Sequence, residues 1–204
     1  MLEKKIALLT SVTFNNIGNG FIDLGAEAAL MKALPLNAEL FKVSSNANFA
    51  ATMGQMFMLK ENPIINWLWV HTMQRAAKKL HDRSYKTVKT QNIFSMASMV
   101  KCDYFIIPGC VLTVPFFTIY GDLIKRKAEQ GSKIIFLGAS GNFYTEYEVK
   151  FVSEYLRKLR PYAIMTRDSL AYKYYANFTK NSYNGIDNAV SYTHLRAHET
   201  SAHL

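Results

Sequence analysis

Four short stretches hold the residue types from which a ligand crevice could be built. Asn15-Asn16-Ile17-Gly18-Asn19-Gly20 combines side-chain amides with glycines, which let a backbone approach a ligand closely. A helix starting just after it would offer free N–H groups to an anion. The stretch is not the dinucleotide glycine pattern and lacks the Lys-Ser/Thr pair of a phosphate-binding P-loop, and an ordinary asparagine turn with a helix cap explains it equally well. Pro108-Gly109-Cys110 and Gly138-Ala139-Ser140-Gly141-Asn142 are two more loops of small residues. Thr166-Arg167-Asp168-Ser169 sets a planar cation beside a carboxylate and a serine. Arg167 there suits an anion, Asp168 or Ser169 suits a helix cap, and a mere Arg167–Asp168 pair is the competing reading.

Other reactive groups are sparse. His71 and His81 have no Cys, Asp or Glu at metal-ligand spacing, so packing or solvent exposure is expected of them and no metal is assigned. Trp67 and Trp69 read as core or interface anchors. Cys102 and Cys110 are too few to staple such a chain and read as buried small hydrophobes in a reducing compartment. No Gly-x-Ser-x-Gly elbow is present, although a spatial Cys110–His pairing stays open.

The elements that must position these residues follow from hydrophobic patterning. Ile6 to Val12, Leu40 to Val43, Tyr104 to Pro108, Lys133 to Leu137 and Ala163 to Thr166 read as strands, most of them too continuously apolar to have one wet face. Between and after them, Phe21 to Leu34, Pro63 to Leu80, Ile93 to Val100, Phe116 to Glu129, Glu146 to Leu159 and Ser169 to Asn177 carry helix-compatible periodicity. In the fifth helix Val149, Val152, Tyr155, Leu156 and Leu159 mark the buried stripe, with Lys150, Glu154, Arg157 and Lys158 outward. Gly131, after the basic Lys125-Arg126-Lys127 turn, marks a helix end. Strand and helix in close alternation predict an open α/β fold with a parallel sheet and helices on both faces. All four stretches then fall at strand ends, where such sheets bind ligands.

Composition agrees with one or at most two globular domains. The chain has 204 residues, half of them apolar, with 24 Lys+Arg against 15 Asp+Glu and a net charge of +9. The positive charge is scattered in local clusters, read as solvated helix faces, and no nucleic-acid partner is expected. Met1-Leu2-Glu3-Lys4-Lys5 leads into an apolar run too short for a secretory signal. Tyr104 to Tyr120 is uncharged but interrupted by Pro108, Gly109 and Pro115, so a strand, a turn and a helix start are expected rather than a transmembrane segment.

Taken in order, the loops resemble the polysaccharide pyruvyl transferase family. The residues that carry this are Asn15-Asn16-Ile17-Gly18-Asn19, Asp103 to Gly109, Gly138-Ala139-Ser140-Gly141, Arg167-Asp168-Ser169 and Gly185-Ile186-Asp187, and the resemblance extends over nearly all of residues 4 to 189. The resemblance implies a Rossmann-like domain over residues 1–189, the N-terminal half of a two-domain, glycosyltransferase-B-like architecture. It implies transfer of a pyruvyl group, as a ketal, from phosphoenolpyruvate to a sugar hydroxyl in cell-surface polysaccharide synthesis. The donor would be phosphoenolpyruvate with no cofactor, and the acceptor a glycan or lipid-linked sugar. The location would be cytoplasmic, with the inner membrane face as the alternative, and the oligomeric state stays open.

By the same resemblance, Asn15, Asn16, Gly18 and Asn19 line the cleft with Gly109, Ser140 and Asp168, while Arg167 contacts an anion. The catalytic His and further arginines are expected in a second half outside this chain, which alone is expected to be inactive. Asn19 departs from the aspartate usual in the family, which leaves a charge or general-base role there in doubt. Pro108-Gly109-Cys110 replaces a glycine-rich triplet. Two other readings stand beside this one: half of a nucleotide-sugar glycosyltransferase, and a non-catalytic α/β binding domain.

Residues 190–204 change character, holding His194, His198 and His203 without an apolar stripe. His194 and His198 could share a helix face, but the segment resembles translated adapter sequence and is set apart as a non-native tail.

Overall fold

The computed structural model describes residues 4–11, 18–35, 37–44 and 100–192. Asn15, Asn16, the expected helix Pro63 to Leu80 with its histidine and tryptophans, His81, nearly all of Ile93 to Val100, and the three tail histidines lie outside the described residues.

The described elements are β1 (Lys4–Thr10), α1 (Gly18–Ala33), β2 (Ala38–Ser44), β3 (Tyr104–Pro108), α2 (Val114–Glu129), β4 (Lys133–Ala139), α3 (Glu146–Leu159), β5 (Ala163–Thr166), α4 (Ser169–Tyr175) and β6 (Ser182–Asn184). A short 3-10 turn follows α4, and residues 188–192 form one more short helix. The six strands make one sheet in the order β2-β1-β3-β4-β5-β6, and every neighbouring pair is parallel. The chain is therefore an open α/β, Rossmann-like domain.

Alternation along each strand divides the core between two faces. Ile6, Leu8 and Ile106 pack with Ala26 and Leu30 of α1. Ala7, Leu9, Phe105 and Ile107 pack instead with Phe117 and Leu123 of α2, Val152 and Leu156 of α3, and Ala171 and Tyr175 of α4. Both faces are covered, which explains why the strands carry unbroken apolar runs. The Tyr104 to Tyr120 stretch resolves into β3, a turn and the first half of α2. Among the described residues no helix is long and apolar enough to cross a membrane.

Caps set the helix starts. Thr113 accepts from the Phe116 amide at 3.3 Å with Pro115 in the first turn of α2, and Thr145 accepts from the Glu148 amide at 3.2 Å at the start of α3. The basic turn at the end of α2 is not wholly a solvated face: Lys127 is buried, its ammonium donating to the carbonyls of Val100 and Gln130 (the latter a side-chain contact of 3.2 Å). Burial lowers its pKa from the ordinary lysine value.

Candidate functional site

All strands are parallel, so every loop that follows a strand lies at one edge of the sheet. The chain order reverses between β1 and β3, which puts the topological switch point, where such sheets bind ligands, at their carboxyl ends. Gly18 and Asn19 sit here in the first turn of α1 rather than in the preceding loop, and the Asn19 amide donates to the Ser11 carbonyl at 3.2 Å. Asp23, one turn further on and buried, accepts from the Ser11 amide at 2.9 Å. Across the switch point Gly109, just after β3, has φ +91°, a conformation that side chains rarely adopt, and a Cβ there would lie 3.5 Å from Ile22 of α1. Cys110 is exposed, not buried as its type suggests, because the turn points it outward with the thiol donating to the Gly141 carbonyl at 3.1 Å.

The Gly109 loop is tied to the next one. Its carbonyl accepts from the Ser140 amide at 3.1 Å, and the Ser140 carbonyl accepts from the Leu112 amide at 3.0 Å. Ser140 is buried, and its hydroxyl receives the Nε–H of Arg167 at 2.9 Å. Arg167 Nη1 donates to Asp187 at 2.5 Å. The guanidinium is thus oriented by two neighbours, and among the described residues Nη2 has no hydrogen-bond partner. The side chain keeps 22% of its surface exposed. Arg167 does not pair with Asp168, its neighbour in sequence.

Asp168 instead works within the protein. One oxygen caps α4 by accepting from the Ala171 amide at 2.7 Å, and the carboxylate receives the Tyr144 hydroxyl at 2.8 and 2.9 Å. That hydroxyl in turn accepts from the Gly141 amide at 2.8 Å. Tyr144 therefore pins the loop after β4 to the loop after β5, on either side of the Ser140–Arg167 contact. Its pKa is pushed far above the ordinary phenol value, by burial first and then by its bond to Asp168. Tyr175, fully buried beneath, is raised in the same direction by burial and by nearby Glu148.

These shifts have a pH consequence. The folded protein keeps both phenols neutral past the pH near 10 at which the unfolded chain ionises them, so their stabilisation is intact below about pH 10 and is lost as the pH rises further. The urea midpoint is expected to fall steeply between about pH 10 and 11, and the fall should be shallower in the Tyr144→Phe, Tyr175→Phe double variant. Equal slopes in the two proteins would contradict the placement of these hydroxyls.

Sequence reasoning singled out Gly185-Ile186-Asp187 but missed the contacts by which the chain there closes this edge. Asp187 caps the short helix 188–192 by accepting from the Ala189 amide at 2.9 Å while it holds Arg167. Asn188, buried, donates to the Leu137 carbonyl at 2.9 Å, beside the irregularity in β4 pairing between Phe136 and Ala139. Its backbone lies against Gly25 of α1, and Tyr192 meets the Phe21 ring at 5.9 Å. The helix thus runs across the 189/190 boundary suggested by composition.

No family model, curated protein or solved structure matches the chain. The site must therefore be read from its own geometry. That geometry joins Gly109, Ser140, Arg167 and Asp168 through contacts along β3, β4 and β5, with Gly18 and Asn19 at the neighbouring switch point. A separate cavity of about 260 Å³ lies between α2 and α3, lined by Gly121, Asp122, Lys125, Tyr155 and Lys158 among others, and none of the strand-end loops borders it. Among the described residues no group of His, Cys, Asp and Glu could hold a metal ion.

Proposed function

We propose that this chain is the N-terminal half of a polysaccharide pyruvyl transferase, holding the anionic end of phosphoenolpyruvate at Arg167. The observation that supports it most is the oriented guanidinium: Ser140 and Asp187 fix two of its nitrogens, the third has no partner among the described residues, and the side chain stays partly exposed. A planar fork fixed in this way suits a carboxylate or phosphate, because the hydrogen bonds are charge-assisted and their direction is set in advance. Phosphoenolpyruvate carries both groups.

In the reaction, a proton added to the methylene carbon would leave a cationic centre at the enol carbon. One sugar hydroxyl adds to that centre and gives up its proton to a base; a second hydroxyl of the same sugar then takes the place of the phosphate, which leaves with the second proton, and the two new C–O bonds close the ketal. This half supplies anion binding and orientation; the general acid comes from a partner half facing it. The test is phosphate release from phosphoenolpyruvate by the chain joined to that second half. Release that depends on a sugar acceptor is expected, and none across a range of hexopyranoside acceptors would overturn the reading.

A further inference from the structure

We infer that the short helix 188–192 is a latch on the crevice, released when an anion takes the Nη1 prong of the Arg167 guanidinium from Asp187; this rests on reading Arg167 as the anion contact. A single carboxylate joins the helix to that contact. One Asp187 oxygen accepts from Arg167 Nη1 at 2.5 Å, and the other caps the helix by accepting from the Ala189 amide at 2.9 Å.

A guanidinium grips an oxyanion best through two adjacent N–H groups. Nη2, which has no hydrogen-bond partner among the described residues, adjoins both other nitrogens, so either Nε or Nη1 must supply the second hydrogen bond. Nε is committed to Ser140, which is buried and tied by its backbone to the Gly109 carbonyl and the Leu112 amide. Nη1 is committed to Asp187, whose side chain is 35% exposed and can be solvated once it lets go. Asp187 is therefore the partner that yields. Repulsion acts in the same sense, because an oxyanion on Nη2 lies within one guanidinium's width of a carboxylate of like charge.

Displacement takes the cap from a helix of five residues, too short to hold itself. What remains is its seat. Asn188, buried, fits between two glycines: a Cβ on Gly138 would meet its side chain at 2.7 Å, and one on Gly25 would overlap its carbonyl. Its side-chain amide donates to the Leu137 carbonyl at 2.9 Å, and the Tyr192 ring lies 5.9 Å from that of Phe21 in α1. None of these contacts involves Arg167. The helix thus has two separable anchors, one that an anion removes and one that it does not. Occupancy of the crevice is relayed to the α1 side of the sheet as a local loosening. By linkage the relay runs both ways: whatever frees the helix also frees Nη1 and tightens the anion.

The test uses the whole chain with inorganic phosphate as the probe, at constant ionic strength. Amide exchange should show residues 189–192 losing protection by about fivefold or more at saturating phosphate, while β3 and β4 keep theirs. In Arg167→Ala the same phosphate should change nothing. Asn188→Ala weakens the seat without touching the guanidinium and should bind phosphate about fivefold or more tightly, with circular dichroism checking that it folds. Should that variant not fold, exchange in the wild-type chain decides alone. Phosphate bound through Arg167 with protection at 189–192 unchanged or raised overturns the inference. So does unchanged affinity in folded Asn188→Ala, or no saturable phosphate binding. A parallel titration with phosphoenolpyruvate separates the two readings. Loosening by phosphate without phosphoenolpyruvate binding would leave the latch standing and remove the pyruvyl reading; phosphoenolpyruvate binding with protection unchanged would do the reverse.

Discussion

Replacing Arg167 with alanine is expected to weaken phosphoenolpyruvate binding by about ten- to a hundredfold, the range given by losing one or two charge-assisted hydrogen bonds. Stability should change by only about 1 kcal/mol, because the Arg167–Asp187 pair is partly open to water and solvent screens it. The informative companion is Asp187→Asn. Its carboxylate competes with an incoming anion for the same guanidinium, so neutralising it should tighten phosphoenolpyruvate binding, by roughly threefold or more, while the amide oxygen still caps helix 188–192. Opposite signs at the two ends of one ion pair are what an anion site requires. A purely structural pair would leave affinity unchanged in both variants. Calorimetric titration of the three proteins reads the difference directly.

The second large effect is expected at Gly25→Ala. A Cβ on Gly25 would lie 1.8 Å from the Asn188 carbonyl oxygen and 2.5 Å from its carbon, a clash with backbone that no rotamer change relieves. Helix 188–192 must then lift from α1, losing the Asn188–Leu137 hydrogen bond and the contact between Phe21 and Tyr192. The cost should be about 3 kcal/mol, the upper part of the range for overpacking. Urea unfolding measures it, and amide exchange should show residues 188–192 losing protection before the sheet does. An unchanged midpoint would mean that this helix does not pack on α1 in solution.

The central part of the architecture was legible because its physics is local. β3, β4 and β5 are continuous apolar runs, and α3 shows its buried stripe through Val152 and Leu156, so period and composition alone locate them. β6 was not legible: Ser182–Asn184 is three residues long, polar and mostly exposed, and becomes a strand only because β5 offers it an edge. Lys127 misled for the opposite reason, since nothing in its own turn announces the Val100 carbonyl that allows its burial.

The site divides in the same way. Arg167 was singled out by its place after a strand, yet both groups that orient it are distant in sequence, Ser140 by 27 residues and Asp187 by 20. Asn188 reaches a carbonyl 51 residues away. Such pairs carry no periodic signature. Tyr144 was missed because a positive φ at a tyrosine is set by Glu148 and Gly141 acting together, against the preference of the residue itself. The small residues at strand ends were visible; the contacts that turn them into one edge were not.

The most direct measurement is a phosphoenolpyruvate titration followed residue by residue through the amide NMR spectrum of the chain. Saturable shifts centred on Ser140, Arg167 and Gly185 to Asn188 are the result this account requires. Shifts centred on Asp122, Lys125 and Lys158 in the groove between α2 and α3, or no saturable shifts at all, would contradict it.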